Sequence, residues 1–426
     1  MTDLPPRVAH DGGARLGCDE VARLRADFPV LGRCVRDGKP LIYLDSAATT
    51  QRPRSVIDAV REFDLGSYAA VHRGAHALAE EATLAFEGAR TSVAAFLGAE
   101  PGELVVTTGT TGAINTAAFA IESAGVGVGD LIVVTEAEHH SNLVPWQRLA
   151  SRTGAELAWI PVGEDGRLDL GVVDDLAARR PRVVAVTGAS NVTGACTDLA
   201  ALGGVDWGPR AIRVLDAAQM PGHGVVCFRD LGFDLAAVSA HKMYGPTGVG
   251  ALLGSQSVLE QLGPAWTGGS MVEMVTMTQA TFQPPPQRFE AGTQPVSQMV
   301  GWAAAVRYLT AIGMDRIAAR EAELTARLLE GVGGVAGVRV LGPLDTRDRS
   351  GVVSLDVSGV HPHDVGQFLD SLGIAVRVGH HCAQPVHRAL GVHASTRVSL
   401  GLYSTKAEVD AVVKALAQVR PFFGVA

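Results

Sequence analysis

No CxxC pair occurs in this chain, and its five cysteines (Cys18, Cys34, Cys196, Cys227, Cys382) are odd in number and scattered. That pattern argues against a disulfide framework or a structural zinc cluster, and for a reducing compartment. Each cysteine is by default a small buried hydrophobe. Blocks of lysine or arginine are also lacking, and the formal net charge is −8, so a nucleic-acid partner is not expected. Uncharged stretches such as Leu104–Ile121 are interrupted by Thr, Gly and Asn, and none reads as a bilayer-spanning helix. The opening MTDLPPRVAHDGG has early acidic residues, a Pro-Pro pair and no apolar run, unlike a secretory leader. There is no internal repeat. The expectation is a soluble, cytoplasmic protein with neither a membrane nor a nucleic-acid partner.

What is present is ample core material. The 426 residues are 47% apolar and 19% charged, enough for two domains or for one large domain with a satellite. From Tyr43 to Gly254, short β-rich runs alternate with helix-compatible segments: ELVVTT (103–108), DLIVVTE (130–136), ELAWIPV (156–162), RVVAVTGAS (182–190), AIRVLDAAQ (211–219), LAAVSAHK (235–242) and GVGALLG (248–254). Runs this apolar suit strands buried on both faces of a mostly parallel sheet. A helical stretch over 296–329, interrupted at Gly313, bridges to a smaller α+β unit, whose last helix opens with a Thr405/Glu408 capping box. The expected division is a large domain at 43–312, and a small domain from 1–42 and 313–426.

Several runs end in polar residues, and ligands bind at the carboxyl ends of strands in open α/β sheets. SAHKMYGPTG places Lys242 at such an end, and LDAAQ places Asp216 and Gln219 at the end of the preceding strand. A Schiff-base lysine beside a carboxylate that holds a protonated pyridine nitrogen is what pyridoxal 5′-phosphate (PLP) requires. Gln219 is suited to donate to the ring phenolate. The plainer reading of Asp216, a helix N-cap, leaves Lys242 unexplained.

GTTGAIN follows a strand and starts a helix, so its amides with the Thr110 and Thr111 hydroxyls make a phosphate cradle or a simple N-cap. Ser239 and His241 add donors. His139 in EHHSN can stack on the ring and move protons; a metal role lacks a third ligand at suitable spacing, and no metal is expected. Asn191 in SNVTG reaches the cofactor or the substrate carboxylate, or forms a turn. RVGHHCAQP, Arg377 to Pro385, suits half a metal site, a buried thiol or a nucleophile when taken alone.

Twelve colinear segments (YLDSAATTQRP, AVHRGAH, GTTGAIN, EHHSNLVPW, SNVTG, LDAAQ, SAHKMYGPTG, GGSM, RFEAGT, HDVGQFLD, AVRVGHHCA and TRVSL) resemble those of the SufS-type (group II) cysteine desulfurases, class V members of PLP fold type I. The resemblance implies an α/β fold, with a mostly parallel seven-stranded sheet in the large domain and a smaller α+β domain carrying the cysteine loop. It implies that Lys242 bears PLP, His139 stacks on its ring, and Asp216 and Gln219 address the ring nitrogen and phenolic oxygen. Thr110, Thr111, Ser239 and His241 would hold the phosphate. Thr293 would reach it from the other subunit of a homodimer. Arg397 would bind the substrate carboxylate, which a guanidinium fork suits, while Arg377, His72 and Arg73 line the channel.

Cys382 would then attack the sulfur of L-cysteine (or L-selenocysteine), leaving a persulfide and alanine. Such a nucleophile reacts as a thiolate, favoured by nearby cationic or donor groups. A SufE- or SufU-type protein would accept the sulfur, for iron–sulfur cluster assembly or another pathway. Gly188 and Ala189, where the family often places a histidine, depart from the pattern, as do Ala217 and Ala240 for glycine and Ser404 for asparagine. They leave room for a specialised paralogue. The alternatives are a selenocysteine lyase or C–S lyase of the same family, or a non-catalytic sulfur-relay scaffold.

Overall fold

The seven apolar runs become seven strands of one sheet. The fold comes from a computed structural model that describes residues 15–425; residues 1–14 and Ala426, with the stretch read for a leader, lie outside the described residues. The strands are β1 (Leu104–Thr107), β2 (Leu131–Thr135), β3 (Glu156–Ile160), β4 (Val183–Thr187), β5 (Ile212–Asp216), β6 (Leu235–Ser239) and β7 (Gly250–Gly254). Their spatial order is β1-β7-β6-β5-β4-β2-β3. All neighbours run parallel except β7, which is antiparallel to both β1 and β6.

Strand pleating sends alternate residues to opposite faces, and both faces are dry. Val105, Ile132, Val134 and Val214 join one apolar cluster; Leu104, Val106, Val133 and Leu215 join the other. β3 departs from the expectation of burial on both faces. It is the sheet edge, and its Trp159 is 57% exposed. A hairpin of Val272–Val275 with Ala280–Phe282 was not anticipated; it projects Met274, Val275 and Met277 into the open.

The smaller unit is an antiparallel sheet of β8 (Val338–Leu341), β9 (Val352–Val357), β10 (Arg377–Gly379) and β11 (Ser395–Ser399), in the order β8-β9-β11-β10. The helices used below, labelled in chain order with others between them, are α1 (Cys18–Ala26), α2 (Ala77–Phe96), α3 (Thr110–Ser123), α4 (Val296–Ile312), α5 (Met314–Gly333), α6 (Pro362–Ser371), α7 (Gln384–Ala389) and α8 (Lys406–Phe422). Gly313, at φ 96°, breaks α4 from α5. Thr405 and Glu408 form the expected capping box on α8.

The domain partition is less clean than the sequence suggests. Of the amino-terminal stretch expected in the small domain, Leu16, Val21, Phe28 and Leu31 pack into the large core. Ile42–Tyr43 instead pairs in parallel with Ile374–Ala375 of the small domain. α5 likewise serves both units, with Ile317 in the large core and Leu324, Leu328 and Val332 in the small one. The cysteines also differ from the default of burial: Cys34 is exposed, and Cys196, Cys227 and Cys382 are half-buried and free. Among the described residues, no helix is long and apolar enough to cross a membrane.

The loop RFEAGT is tied to the sheet by a buried ion pair. Arg90 of α2 reaches Glu290 through two contacts of 2.7 and 2.8 Å, and Glu290 also accepts the amide of Val106 on β1. Both side chains are almost fully buried. Removing one partner strands a charge in the core. Glu290→Ala should therefore destabilise the fold by about 3–5 kcal/mol, measured as a lower urea midpoint at unchanged slope.

Candidate active site

Segments at the carboxyl ends of β1, β2, β4, β5 and β6, with β10, β11 and the loop after β10 of the small domain, converge on a cavity of about 170 Å³. It is lined by Thr110, Thr111, His139, Asn191, Asp216, Ser239, His241, Lys242, Arg377 and Arg397, together with Ser141 and His381. Ten residues singled out from the sequence thus meet in one place. Gln219 lies buried just past Asp216, and Cys382 follows His381 in the small-domain loop. β5 delivers Asp216 at its last residue, and β6 ends at Ser239, one short turn before Lys242.

The local geometry explains why these segments have the residues they do. Gly109, the N-cap residue of α3, takes φ 134° and has no side chain with which to cap the helix. The Thr110 amide and hydroxyl both meet Ser239 Oγ, at 2.7 and 2.8 Å, and the Thr111 hydroxyl meets Ser141 Oγ at 2.6 Å. A Cβ on Gly250 would clash with the Val238 carbonyl and the backbone of Gly109, so β7 must be bare where it passes the cradle. Gly188, which departs from the resembled pattern, leaves space that the Met220 side chain fills.

Burial governs the electrostatics. Lys242 is held down at about 8 by burial, with Asp216 opposing. Asp216 is raised by burial, against the field of Lys242, and its carboxylate accepts the Ala218 amide at 2.9 Å. His139 is pushed down to about 3 by burial and then by Lys242. Its Nδ1 accepts the Ser141 amide at 3.0 Å, so the neutral ring presents Nε2–H. His241 falls to about 4 through burial and Lys242; its carbonyl accepts the Thr50 amide.

Arg397 is 1% exposed. It donates to the Asn191 carbonyl at 3.0 Å and to Asp45 at 3.1 Å, while its Nε has no partner. Arg377 is its register partner across β10 and β11, so two guanidinium groups share one wall and Asp45 is the carboxylate that offsets them. Sequence reasoning missed Asp45, although it sits in the quoted segment YLDSAATT. It missed Glu138 as well, beside His139. That carboxyl is fully buried and pushed up to about 8 chiefly by burial, while accepting from Thr135, Asn142 and the Thr187 amide.

The cysteine loop has an unusual backbone. His381 and Cys382 are consecutive left-handed residues, at φ 50° and 57°, a conformation that costs L-residues energy. Hydrogen bonds from the large domain hold both: Asn191 Nδ2 donates to the His381 carbonyl at 2.7 Å, and the His140 amide to the Cys382 carbonyl at 2.6 Å. Three expected residues lie elsewhere. His72 pairs with Glu87 at 2.8 Å, Arg73 donates to the Ser270 carbonyl, and Thr293 is exposed beside a second cavity with Thr107, Thr108 and Trp266. Among the described residues, no group of His, Cys, Asp and Glu is placed to hold a metal ion.

These residues fit PLP. A buried carboxylate whose offsetting cation is Lys242 matches a protonated pyridine nitrogen. Gln219 Nε2 gives one hydrogen to the Ala47 carbonyl, and the amide carries a second hydrogen that would suit a phenolic oxygen. The start of α3, whose N-cap residue is a glycine, offers amides and hydroxyls that would suit a phosphate.

Comparison with known proteins points the same way. The aminotransferase class-V family matches residues 42–412. Similar curated proteins include a probable cysteine desulfurase 2 of Mycobacterium leprae, 48% identical over 95% of this chain and 98% of that one. A probable cysteine desulfurase of Streptomyces coelicolor is 45% identical over the whole of both. Among solved structures, a cysteine desulfurase from Thermococcus onnurineus superposes with a TM-score of 0.87 at 37% identity, covering 93% of this chain and 97% of the other. The cysteine desulfurase CsdA of Escherichia coli gives 0.85 at 35%, covering 94% and 98%.

If Lys242 reacts as its neutral amine, PLP added to cofactor-free protein and trapped with borohydride should label Lys242. The labelling rate should climb as the pH passes about 8 and vanish in Lys242→Ala. Peptide mass spectrometry reads both.

Proposed function

We propose, for a chain that belongs to the class-V aminotransferase family and within it to the cysteine desulfurases, that it converts L-cysteine to L-alanine and collects the sulfur on Cys382. The observation that carries this reading is the meeting of Lys242, Asp216 and Arg397 in one cavity whose wall includes His381, the residue before Cys382. PLP, bound there, supplies the electron sink that weakens the carbon–sulfur bond of the substrate. Asp216 holds its ring nitrogen, and Gln219 its phenolic side. Thr110, Thr111, Ser239 and His241 would hold its phosphate, with Asn191 in the same wall.

Arg397 takes the substrate carboxylate on its free Nε edge, with Arg377 beside it. Lys242 Nζ would take and return protons, its lowered basicity matched to that task near neutral pH. His139 would stack on the ring, with its Nε2–H available. Cys382 Sγ, as thiolate, attacks the substrate sulfur. The S–S bond forms as the C–S bond breaks, the carbon gains a proton, and alanine leaves a persulfide behind.

The sulfur then passes to an acceptor, for which a protein of the SufE or SufU type suits the short loop, in iron–sulfur assembly or another sulfur pathway. A homodimer completes the site in this reading, with Thr293, His72 and Arg73 serving the partner. Their placement outside their own chain's cavity supports it, as do the exposed apolar side chains Leu65, Tyr68, Trp266, Met274 and Met277, since patches of this kind mark interfaces.

Cys382→Ala should keep the absorbance of bound PLP yet lose alanine formation from L-cysteine by at least about 100-fold. Mass spectrometry of the wild type should find a mass increase of one sulfur on Cys382. Alanine production by the variant at the wild-type rate would refute the nucleophile assignment, and a protein unable to bind PLP would refute the function.

A further inference from the structure

Beneath the turn that carries His139 lies a buried carboxyl to which the reaction above gives no role. Glu138, at 0% exposure, sits where two strands of the large sheet part. Pairing between β2 and β4 joins Ile132 to Val183 and Val133 to Val184. Thr187, at the end of β4, is in register with Asp216 of β5. Beyond the last β2–β4 pair its amide is taken by a side chain: Glu138 Oε1 accepts it at 2.7 Å. The same oxygen accepts the hydroxyl of Thr135, the last residue of β2, at 2.7 Å.

The other oxygen faces the far end of the turn. Asn142 Nδ2 donates to Glu138 Oε2 at 2.7 Å, and Asn142 Oδ1 accepts Trp146 Nε1–H at 2.9 Å. Asn142 and Trp146 are buried as completely as Glu138. An indole N–H only donates, so Asn142 cannot turn its amide over, and the chain of bonds has one polarity. Burial pushes Glu138 up to about 8, yet protonation leaves the chain intact. A proton on Oε1 points to the Thr135 hydroxyl, which can accept as well as donate, and Oε2 stays with Asn142. Between the two anchored ends stand His139 and Ser141, and both line the cavity. The Ser141 amide donates to His139 Nδ1, and its hydroxyl meets Thr111 of the phosphate cradle.

We propose that Glu138 and Asn142 are positioning residues for the cofactor: their bond pins the turn at both ends, so that the His139 ring and the Ser141 hydroxyl keep the places at which PLP would meet them. The inference rests on the reading above only in so far as PLP is the group held. A carboxyl kept merely to fill space could be exchanged for its amide, and this one cannot. Glu138→Gln turns an NH2 group toward Asn142 Nδ2 in one orientation and toward the Thr187 amide in the other, donor against donor both times. Asn142→Asp alone sets two carboxyl groups face to face. Combined, the two changes restore the pattern. The new amide donates to the new carboxylate, which still accepts from Trp146, and the Thr187 amide still finds an oxygen.

The test is a double-mutant cycle over Glu138→Gln, Asn142→Asp and their combination. Nitrogen-15 NMR of cofactor-free protein with labelled histidines reads the turn apart from turnover. His139 should show an unprotonated Nδ1 in the wild type and in the double variant, and a mixture of tautomers in each single variant. Loss of one such buried hydrogen bond is worth about tenfold. The Kd for PLP should therefore rise about tenfold in each single variant and return to within about threefold of the wild type in the double. Single variants with a lower urea midpoint but the wild-type His139 signal and PLP affinity, the mark of a merely structural role, would overturn the proposal. So would a double variant no better than either single one. Where a single variant fails to fold, the double decides alone: it must fold, show the unprotonated Nδ1 and bind PLP within that range, or the proposal falls. A wild type that shows this signal and binds PLP, yet makes no alanine from L-cysteine, would support the clamp and overturn the desulfurase reading alone.

Discussion

The buried guanidinium of Arg397 is the joint on which the site depends. It is carried by the small domain on β11, yet its hydrogen bonds go to the Asn191 carbonyl in the large domain and to Asp45 in the segment that crosses between the two. A charge taken this far out of water is tolerable only when its donors are used, so the two units must close together for Arg397 to be satisfied. The same closure brings the Asn191 side chain and the His140 amide onto the cysteine loop. In the proposed reaction, positioning of the substrate carboxylate and of the nucleophile would both follow from this one contact between domains.

Burial does most of the remaining electrostatic work. It lowers Lys242 toward neutrality, keeps His139, His241 and His381 uncharged, and raises Asp216 and Glu138. The result is a cavity whose formal charges reside mainly on two arginines, with neutral imidazoles of fixed polarity between them. Such a pocket orients an amino acid by its carboxylate and leaves the lysine amine available as a nucleophile and base, which is the division of labour PLP chemistry demands.

Much of this was legible in the residues. All seven strands of the large sheet followed from apolar runs, because a strand buried on both faces has no reason to alternate; ELAWIPV misled only in that its sheet position, at the edge, is a tertiary fact. Ten site residues were placed at strand or loop ends that the fold brings together. Asp45 was not found: an aspartate before Ser-Ala-Ala reads as a turn residue, and its partner lies 352 positions away. The role of Asn191 was half seen, since its side chain holds the His381 carbonyl, a backbone contact without any sequence signature. The split loyalties of the amino-terminal stretch and of α5 were equally hidden, because apolar spacing tells which face is buried but not against which core.

In the proposed reaction, the two consecutive left-handed residues at His381 and Cys382 constrain how sulfur would leave. A cysteine on a flexible tether could swing outward and deliver its cargo at a distance. Here the backbone on both sides of Sγ is locked in a costly conformation, clamped through its carbonyls and backed by packed histidines, so the sulfur stays where it was received. Cys382 is nonetheless half-buried rather than sealed. The traffic must therefore run the other way: whatever takes the sulfur has to carry its own nucleophile in to a stationary donor, and the shape of that entrance, more than the reach of the loop, decides which acceptors succeed.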